Sequence, residues 1–590
     1  RLRERTSIGL WGGGNEFNPD NHENRPIINL IDDLVDELDG TREFRRGSPY
    51  RGDRHGGLVS TPYRTTNKYR DLLPGRKRLV LLRSECAVGR SPTRPSNIKK
   101  FMPEKSLWPI DWKLYQNHHA QKPEWETITK PFGKAANWER ELIHSSIFHC
   151  IDSRLNMEHA RASKYESSGC WTWQINASWP SFHREHVDWY GDPKPVYYWY
   201  KNACKPVITM VDLERFVYHP GEPLNPLIVA VNDTHKGVTT SIDIKVITVD
   251  GKVIHEEHHE AMIAPDDRTI LGRLSAVVPE KLSEDSLYIS VNTTQGKEVV
   301  HRNTYYVAIS ADNVFKTGQE IGNDMTLDYI GTTKTVSAPH YYTLAEIVDE
   351  PTEHDKETQS ARGSQLDAVY TKTFDLDSAL AGKELELYLP GFSAEDSVFL
   401  NGKKIGSGTL DPKKDRNYEA DPLIWPTLPV RHYEVPAKLI KETGNKVEIK
   451  LTGRNIAAQT DKRFGMTEMI YIREATPKAL QKKILSYNKK QEFFTAISQG
   501  TDAKVSLSAE ATKGGFNVTV SNTGKRSAAF LVLDVEGEGT ARFTYDEGAP
   551  SGLHAGETIT IFLKIEGDLA KSAKTIIRGL NIKTKSIKLG

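Results

Sequence analysis

The apolar positions along this chain change their spacing once, near residue 207. Before that point, short apolar runs alternate with segments spaced as helices. Residues 7–11 (SIGLW) form an apolar run that ends on three glycines. Residues 25–38 place Ile27, Leu30, Ile31, Leu34, Val35 and Leu38 at helical intervals with Pro26 in the first turn, which predicts an amphipathic helix. Residues 79–84 (LVLLRS) read as a buried strand, 95–101 as a helix, 170–175 as a strand and 193–204 as a tyrosine-rich helix. Strands and helices in alternation point to a parallel α/β sheet or barrel over residues 1–207.

From residue 208 the pattern becomes mainly that of strands. Residues 227–232 and 241–249, the turn Asp250-Gly251 and the run from Val253 predict a β-sandwich over 208–310. A second β unit is expected over 311–476, with strands at 385–389, 398–400 and 447–451 and a tight turn at Asn401-Gly402. Residues 477–590 read as a helical linker followed by a third β unit with strands at 516–520 and 529–535.

Composition removes whole classes of function. With 79 Lys+Arg against 78 Asp+Glu the net charge is +1, and no basic block marks a nucleic-acid or anionic-membrane partner. The mean hydropathy is −0.54, and no apolar run approaches the roughly 18–20 residues that span a bilayer. The four cysteines lie before residue 210 without CxxC spacing, which argues against a zinc ribbon or dithiol site. The charged start, Arg1 to Arg5, lacks the apolar stretch of a signal peptide and reads as the inside of a helix, so a chain cut from something longer is expected. Localisation is not legible. Ten of the eleven tryptophans precede residue 200. Aromatic faces of that kind stack on sugar rings, and they also fill large cores.

Two glutamates then stand out. The run Leu10-Trp11-Gly12-Gly13-Gly14-Asn15-Glu16 delivers a carboxylate at the C-terminal end of a strand, where barrel enzymes place catalytic groups. Trp11 and Phe17 are candidates for the apolar walls that raise a carboxyl pKa, and Asn15 for holding a sugar hydroxyl. Glu85 ends the second apolar strand in the same way. Retaining glycosidases need two such carboxyls about 5–5.5 Å apart. A third element is 170–180, CWTWQINASWP. Among lesser candidates, His55 is placed to bind a sugar hydroxyl and His118-His119 to line a cleft. The HEEHHE run at 255–260 falls in a predicted strand whose alternate residues point opposite ways, so a solvated edge is expected there rather than a zinc site. Sequons occur at Asn176, Asn232, Asn292 and Asn517.

Residues 3–17 (RERTSIGLWGGGNEF), 84–89 and the WTWQINASWPSF segment resemble glycoside hydrolase family 2, within it the β-mannosidase and exo-β-glucosaminidase branch. The resemblance implies that residues 1–207 are strands four to eight of a (β/α)8 TIM barrel. It implies Glu16 as general acid/base, Glu85 as nucleophile, and Trp11, Asn15, His55, Trp173, Asn176 and Trp179 as substrate-binding residues. VAVNDTHKG at 229–237 and FNVTVSNTGK at 516–525 resemble the family's immunoglobulin-like domains, and 399–451 resembles a galactose-binding-like jelly roll. Gly14 before Asn15, Cys86 after Glu85 and Ala177 in place of an aspartate depart from the pattern. The expected activity is retaining hydrolysis of a terminal β-mannoside or β-glucosaminide, with no cofactor and no metal. The alternative is a non-catalytic carbohydrate-binding or scaffold subunit. The expected partners are the glycoside substrate and a second chain or missing N-terminal segment that completes the barrel.

Overall fold

The computed structural model describes residues 4–6, 8–50, 53–55, 82–86, 90–165, 167–213, 217–281, 286–309, 318–329, 331–337, 340–341, 365–389, 395–409, 419–420, 429–454, 465–466, 470–478, 494, 497–498, 503–537, 539, 541–548 and 550–589. Outside them fall residues 79–81 of one expected strand and most of the expected linker at 477–497.

The α/β part holds five short strands in parallel pairings. Strand β1 (Leu10–Gly12) pairs with β2 (Glu43–Arg45), Trp11 opposite Phe44. Strands β3 (Asp53–His55), β4 (Leu82–Cys86) and β5 (Cys170–Thr172) form a second parallel sheet in that order. The described residues therefore show two parallel sheets and no closed barrel. Each expected strand is present but displaced or shortened. The first begins at Leu10 rather than Ser7 and runs into its glycines, since the Gly13 amide still donates to Arg45 O at 2.8 Å.

Helix α1 (Arg25–Leu38) has the expected bounds, with proline in its first turn. Its apolar stripe, however, faces outward. Ile27, Leu30, Leu34 and Leu38 are each 41–57% exposed, while Ile28 is the buried residue of the helix. The expected helix at 95–101 is the single turn Pro95–Ile98, and the tyrosine-rich helix is Pro195–Ala203.

The sequence pattern misses a 25-residue helix, Trp138–Ala162, capped by the Asn137 side chain on the Arg140 amide at 3.0 Å. It is buried on almost every side, so it carries no clean apolar stripe. Its polar residues pair internally. Arg154 donates to Asn303 and to Thr304 O, and Glu158 accepts from Asn303 and Tyr305, all buried. Those partners lie on the first β-sandwich. One apolar core accordingly runs from Ile147 and Ile151 through Trp199 into Ile244, Val291 and Tyr305.

That sandwich packs a five-stranded sheet against the three strands Val207–Asp212, Leu227–Asn232 and Asp267–Arg273. The second β unit sets a five-stranded against a six-stranded sheet around Leu387, Tyr370 and Ile449. Its hairpin turns at Asn401 (φ 50°) and Gly402 (φ 78°), the left-handed pair that a two-residue turn requires. The third, a four-stranded and a three-stranded sheet, packs through Val518, Tyr545 and Ile577.

The HEEHHE run lies on strand Val253–Ile263 at a sheet edge. His255 and His259 hold the two oxygens of Glu257 at 2.8 and 3.1 Å, while His258 turns the other way to Asp243 and Glu260. The sequon residue Asn232 is fully buried and donates to Lys236 O and Ala264 O.

Candidate active site

The C-terminal ends of β1, β3 and β4 converge on one point. After β1, the loop is zipped to the chain beyond β2. The Ser48 amide donates to Gly14 O at 3.0 Å and the Glu16 amide donates to Ser48 O at 2.6 Å. This approach is possible because two positions lack a side chain. A Cβ on Gly13 would lie 2.5 Å from Arg46 O, and one on Gly14 would lie 2.5 Å from the Phe17 ring. Glu16 itself sits at φ 52°, a backbone conformation that non-glycine residues adopt at a cost and that clusters at functional sites.

His55 closes β3, paired in register with Glu85 of β4. Its Nδ1 lies 2.8 Å from Glu16 Oε1 and 3.3 Å from Glu85 Oε2. One imidazole nitrogen thus faces both glutamates. The other, Nε2, lies 3.0 Å from Ser48 Oγ, and Ser48 Oγ lies 2.5 Å from Ser84 Oγ. The same serine that anchors the Glu16 backbone therefore orients the imidazole. Each of Glu16, His55 and Glu85 offers a donor atom within 4.8 Å of the other two. The Glu16 side chain is 64% exposed and that of Glu85 22%. One carboxylate stands at the mouth and the other is set into the sheet.

The end of β5 lies beside Glu85, where the Trp173 amide donates to Cys86 O at 3.3 Å. The Trp173–Gln174 peptide is cis. From Trp173 a row of rings runs outward. His183 meets the Trp173 ring edge-on at 5.0 Å, stacks on His119 at 4.3 Å, and His119 and His118 lie 5.8 and 5.7 Å from Trp179. Trp179 is 39% exposed, which leaves a face free to stack on a ligand ring. Asn176 is exposed on the same loop. Burial, aided by Arg90, pushes the His119 pKa down, and burial pushes His183 down to about 3. Both imidazoles are neutral near pH 7. Beneath them, the buried Lys194 ammonium donates to Glu185 at 2.9 Å and to Ser91 O.

Trp11 is engaged elsewhere: its indole nitrogen donates to Asp39 at 2.6 Å, the C-cap of α1, which Arg42 also holds. Phe17 covers Gly14, and Asn15 pairs through its backbone with Ser48. Residues 87–89 lie outside the described residues. The structure adds Ser48 to the expected site; nothing in the sequence around it, GSPY, marks it.

Comparison with known proteins bears on the whole chain. Residues 227–308 match the family model described as "Mannosidase Ig/CBM-like domain". The β-D-mannosidase of Dictyoglomus thermophilum superposes with a TM-score of 0.55 at 15% identity, over 99% of this chain and 49% of that one. Over nearly its whole length this chain shares the fold of that enzyme, and its residues 227–308 are similar to a mannosidase-type domain. The exo-chitosanase CsxA of Amycolatopsis orientalis superposes with a TM-score of 0.56 at 14% identity, covering 100% of this chain and 52% of that structure. The chain therefore spans about half the length of the solved structures it matches. No curated protein sequence matches it.

Proposed function

We propose that this chain carries the two catalytic carboxylates of a retaining exo-β-glycosidase. The observation that supports it best is the convergence of Glu16 and Glu85 on His55, with carboxylate oxygens within 4.8 Å of each other. Retaining enzymes hold their carboxyls about 5–5.5 Å apart, whereas inverting enzymes leave about 6.5–9.5 Å for a water. Glu16, at the mouth, protonates the glycosidic oxygen as the bond to the anomeric carbon breaks. Glu85, held in the sheet, attacks that carbon and forms a glycosyl ester. Glu16, now a carboxylate, takes a proton from water, whose oxygen displaces Glu85 and releases the sugar with its configuration retained. Trp179 and Trp173 supply apolar faces for the sugar. The substrate class, a terminal β-mannoside or β-glucosaminide, rests on the β-D-mannosidase and exo-chitosanase among the neighbours.

In the same reading, β1 to β5 are strands four to eight of a (β/α)8 barrel whose remaining strands come from another segment or chain. The outward apolar stripe of α1 supports this, because a barrel helix buries such a stripe on its neighbours. Size and activity measurements on residues 1–590 alone, with and without a candidate partner, test that part; a soluble, active monomer overturns it.

The chemistry is tested by Glu85→Ala, which should abolish turnover of aryl glycosides. Azide should restore it and yield a glycosyl azide of inverted configuration, the small anion taking the place of the lost carboxylate. Near wild-type hydrolysis by the variant would remove Glu85 as nucleophile.

A further inference from the structure

Zinc sites need three or four nitrogen, oxygen or sulfur donors that converge. Zn–N and Zn–O bonds run about 2.0–2.2 Å, which in a tetrahedron puts neighbouring donor atoms roughly 3.3–3.6 Å apart. His55 Nδ1 stands 2.8 Å from Glu16 Oε1 and 3.3 Å from Glu85 Oε2, and the three groups agree mutually to within 4.8 Å. Side-chain movements below about 1 Å would bring all three to bonding distance. His55 is also held as a metal-binding imidazole is held. One ring nitrogen faces the carboxylates and the other is engaged by a neighbouring group, here the Ser48 hydroxyl at 3.0 Å. The 64% exposure of the Glu16 side chain leaves a route inward and a fourth position for water.

We propose that Glu16, His55 and Glu85 form a zinc site that reversibly shuts the active centre. The proposal deepens the glycosidase reading and takes its inhibitory role from it. Zinc bound there occupies the lone pairs that Glu85 needs for attack and Glu16 needs for proton transfer, so it excludes substrate rather than slowing turnover. An imidazole with two carboxylates suits zinc or cobalt(II) better than magnesium or calcium, which favour oxygen donors alone.

The other histidine–glutamate cluster does not converge in this way. His255, Glu257 and His259 are spaced two residues apart along one strand, about 6–7 Å per step, and each imidazole meets a different oxygen of Glu257. Among the described residues, the active-site trio is the group of three that meets a common point.

The test is calorimetric titration of the full chain with Zn²⁺, with cobalt(II) absorption as a report of tetrahedral coordination. One zinc per chain is expected. Loss of an outer-shell partner alone typically weakens a site about 10- to 100-fold, so His55→Gln and the near-isosteric Glu85→Gln should each weaken it by more than about 100-fold. The double variant His255→Gln/His259→Gln should bind as the wild type does. Unchanged affinity in His55→Gln and Glu85→Gln, or loss of binding in the double variant, overturns the proposal. In turnover, zinc should raise KM for an aryl glycoside without lowering kcat, reversibly with EDTA; a fall in kcat alone also overturns it. The two readings fail separately. A chain that binds zinc at this site yet hydrolyses no glycoside keeps the metal site and loses the glycosidase; an active chain that binds no zinc there does the reverse.

Discussion

Gly13→Ala is a one-methyl perturbation that reaches the chemistry through the backbone. The added carbon would lie 2.5 Å from Arg46 O and 3.0 Å from Phe44 Cζ. Carbon–oxygen contacts normally settle at about 3.3–3.6 Å, so β1 and the chain after β2 must separate by roughly 0.8 Å. The nearest obstacle is a backbone carbonyl, which cannot swing aside as the tip of a side chain can. The displaced segment carries Glu16 three residues later and is tied to Ser48, which orients His55. A misplacement of about 1 Å at a reacting group can cost on the order of 10²-fold in rate. Gly13→Ala should therefore lower kcat/KM on an aryl β-glycoside by about 10²-fold, close to 2.7 kcal/mol of transition-state stabilisation, while circular dichroism stays unchanged. Gly9→Ala is the control, since a Cβ there meets nothing within 4 Å and activity should hold. A folded Gly13→Ala variant with near wild-type kcat/KM refutes the claim that the glycine exists to let these two chain segments meet. Equal losses in both variants refute it as well.

Glu16→Ala should slow substrates with poor leaving groups by roughly 10²- to 10⁴-fold and barely slow dinitrophenyl glycosides, which need no protonation; equal losses on both would leave Glu16 a binding residue. Glu185→Ala strands the Lys194 ammonium, which is 1% exposed, and should destabilise the α/β part by about 3–5 kcal/mol. Tryptophan fluorescence follows that loss, since ten of the eleven tryptophans precede residue 200; an unchanged urea midpoint would contradict it. Burial pushes His144, His186 and His301 down to about 3. Unfolded, each takes up a proton near pH 6.5, so the unfolded chain binds more protons between about 3 and 6.5 and stability falls as pH drops through that window. Each contributes up to about 1.4 kcal/mol per pH unit. A urea midpoint equal at pH 7 and pH 5 would refute this.

Local pattern was enough for much of this molecule. Leu227–Asn232 and Leu385–Leu389 stand where alternation and apolar runs put them, and α1 keeps its expected bounds from Arg25 to Leu38. Period and turn chemistry act over a few residues, and so they are written in the sequence. The two glutamates could be singled out for the same reason: each follows a short apolar run at a strand end. What brings them together is not local. Glu16 and Glu85 are 69 positions apart, and their meeting depends on His55 bridging them and on Ser48 holding both His55 and the Glu16 amide. Ser48 lies in a stretch without periodicity, so its position follows only from the pairing of β1 with β2. Trp11 shows the reverse. Its place five positions before Glu16 in the sequence suggested a wall of the site, yet the fold turns its indole nitrogen to Asp39 at the end of α1. The helix Trp138–Ala162 escaped notice because contact on nearly all sides erases the amphipathic stripe that sequence reading depends on. Its buried charges make sense only once Asn303 and Tyr305 of a separate β-sandwich arrive to pair with them.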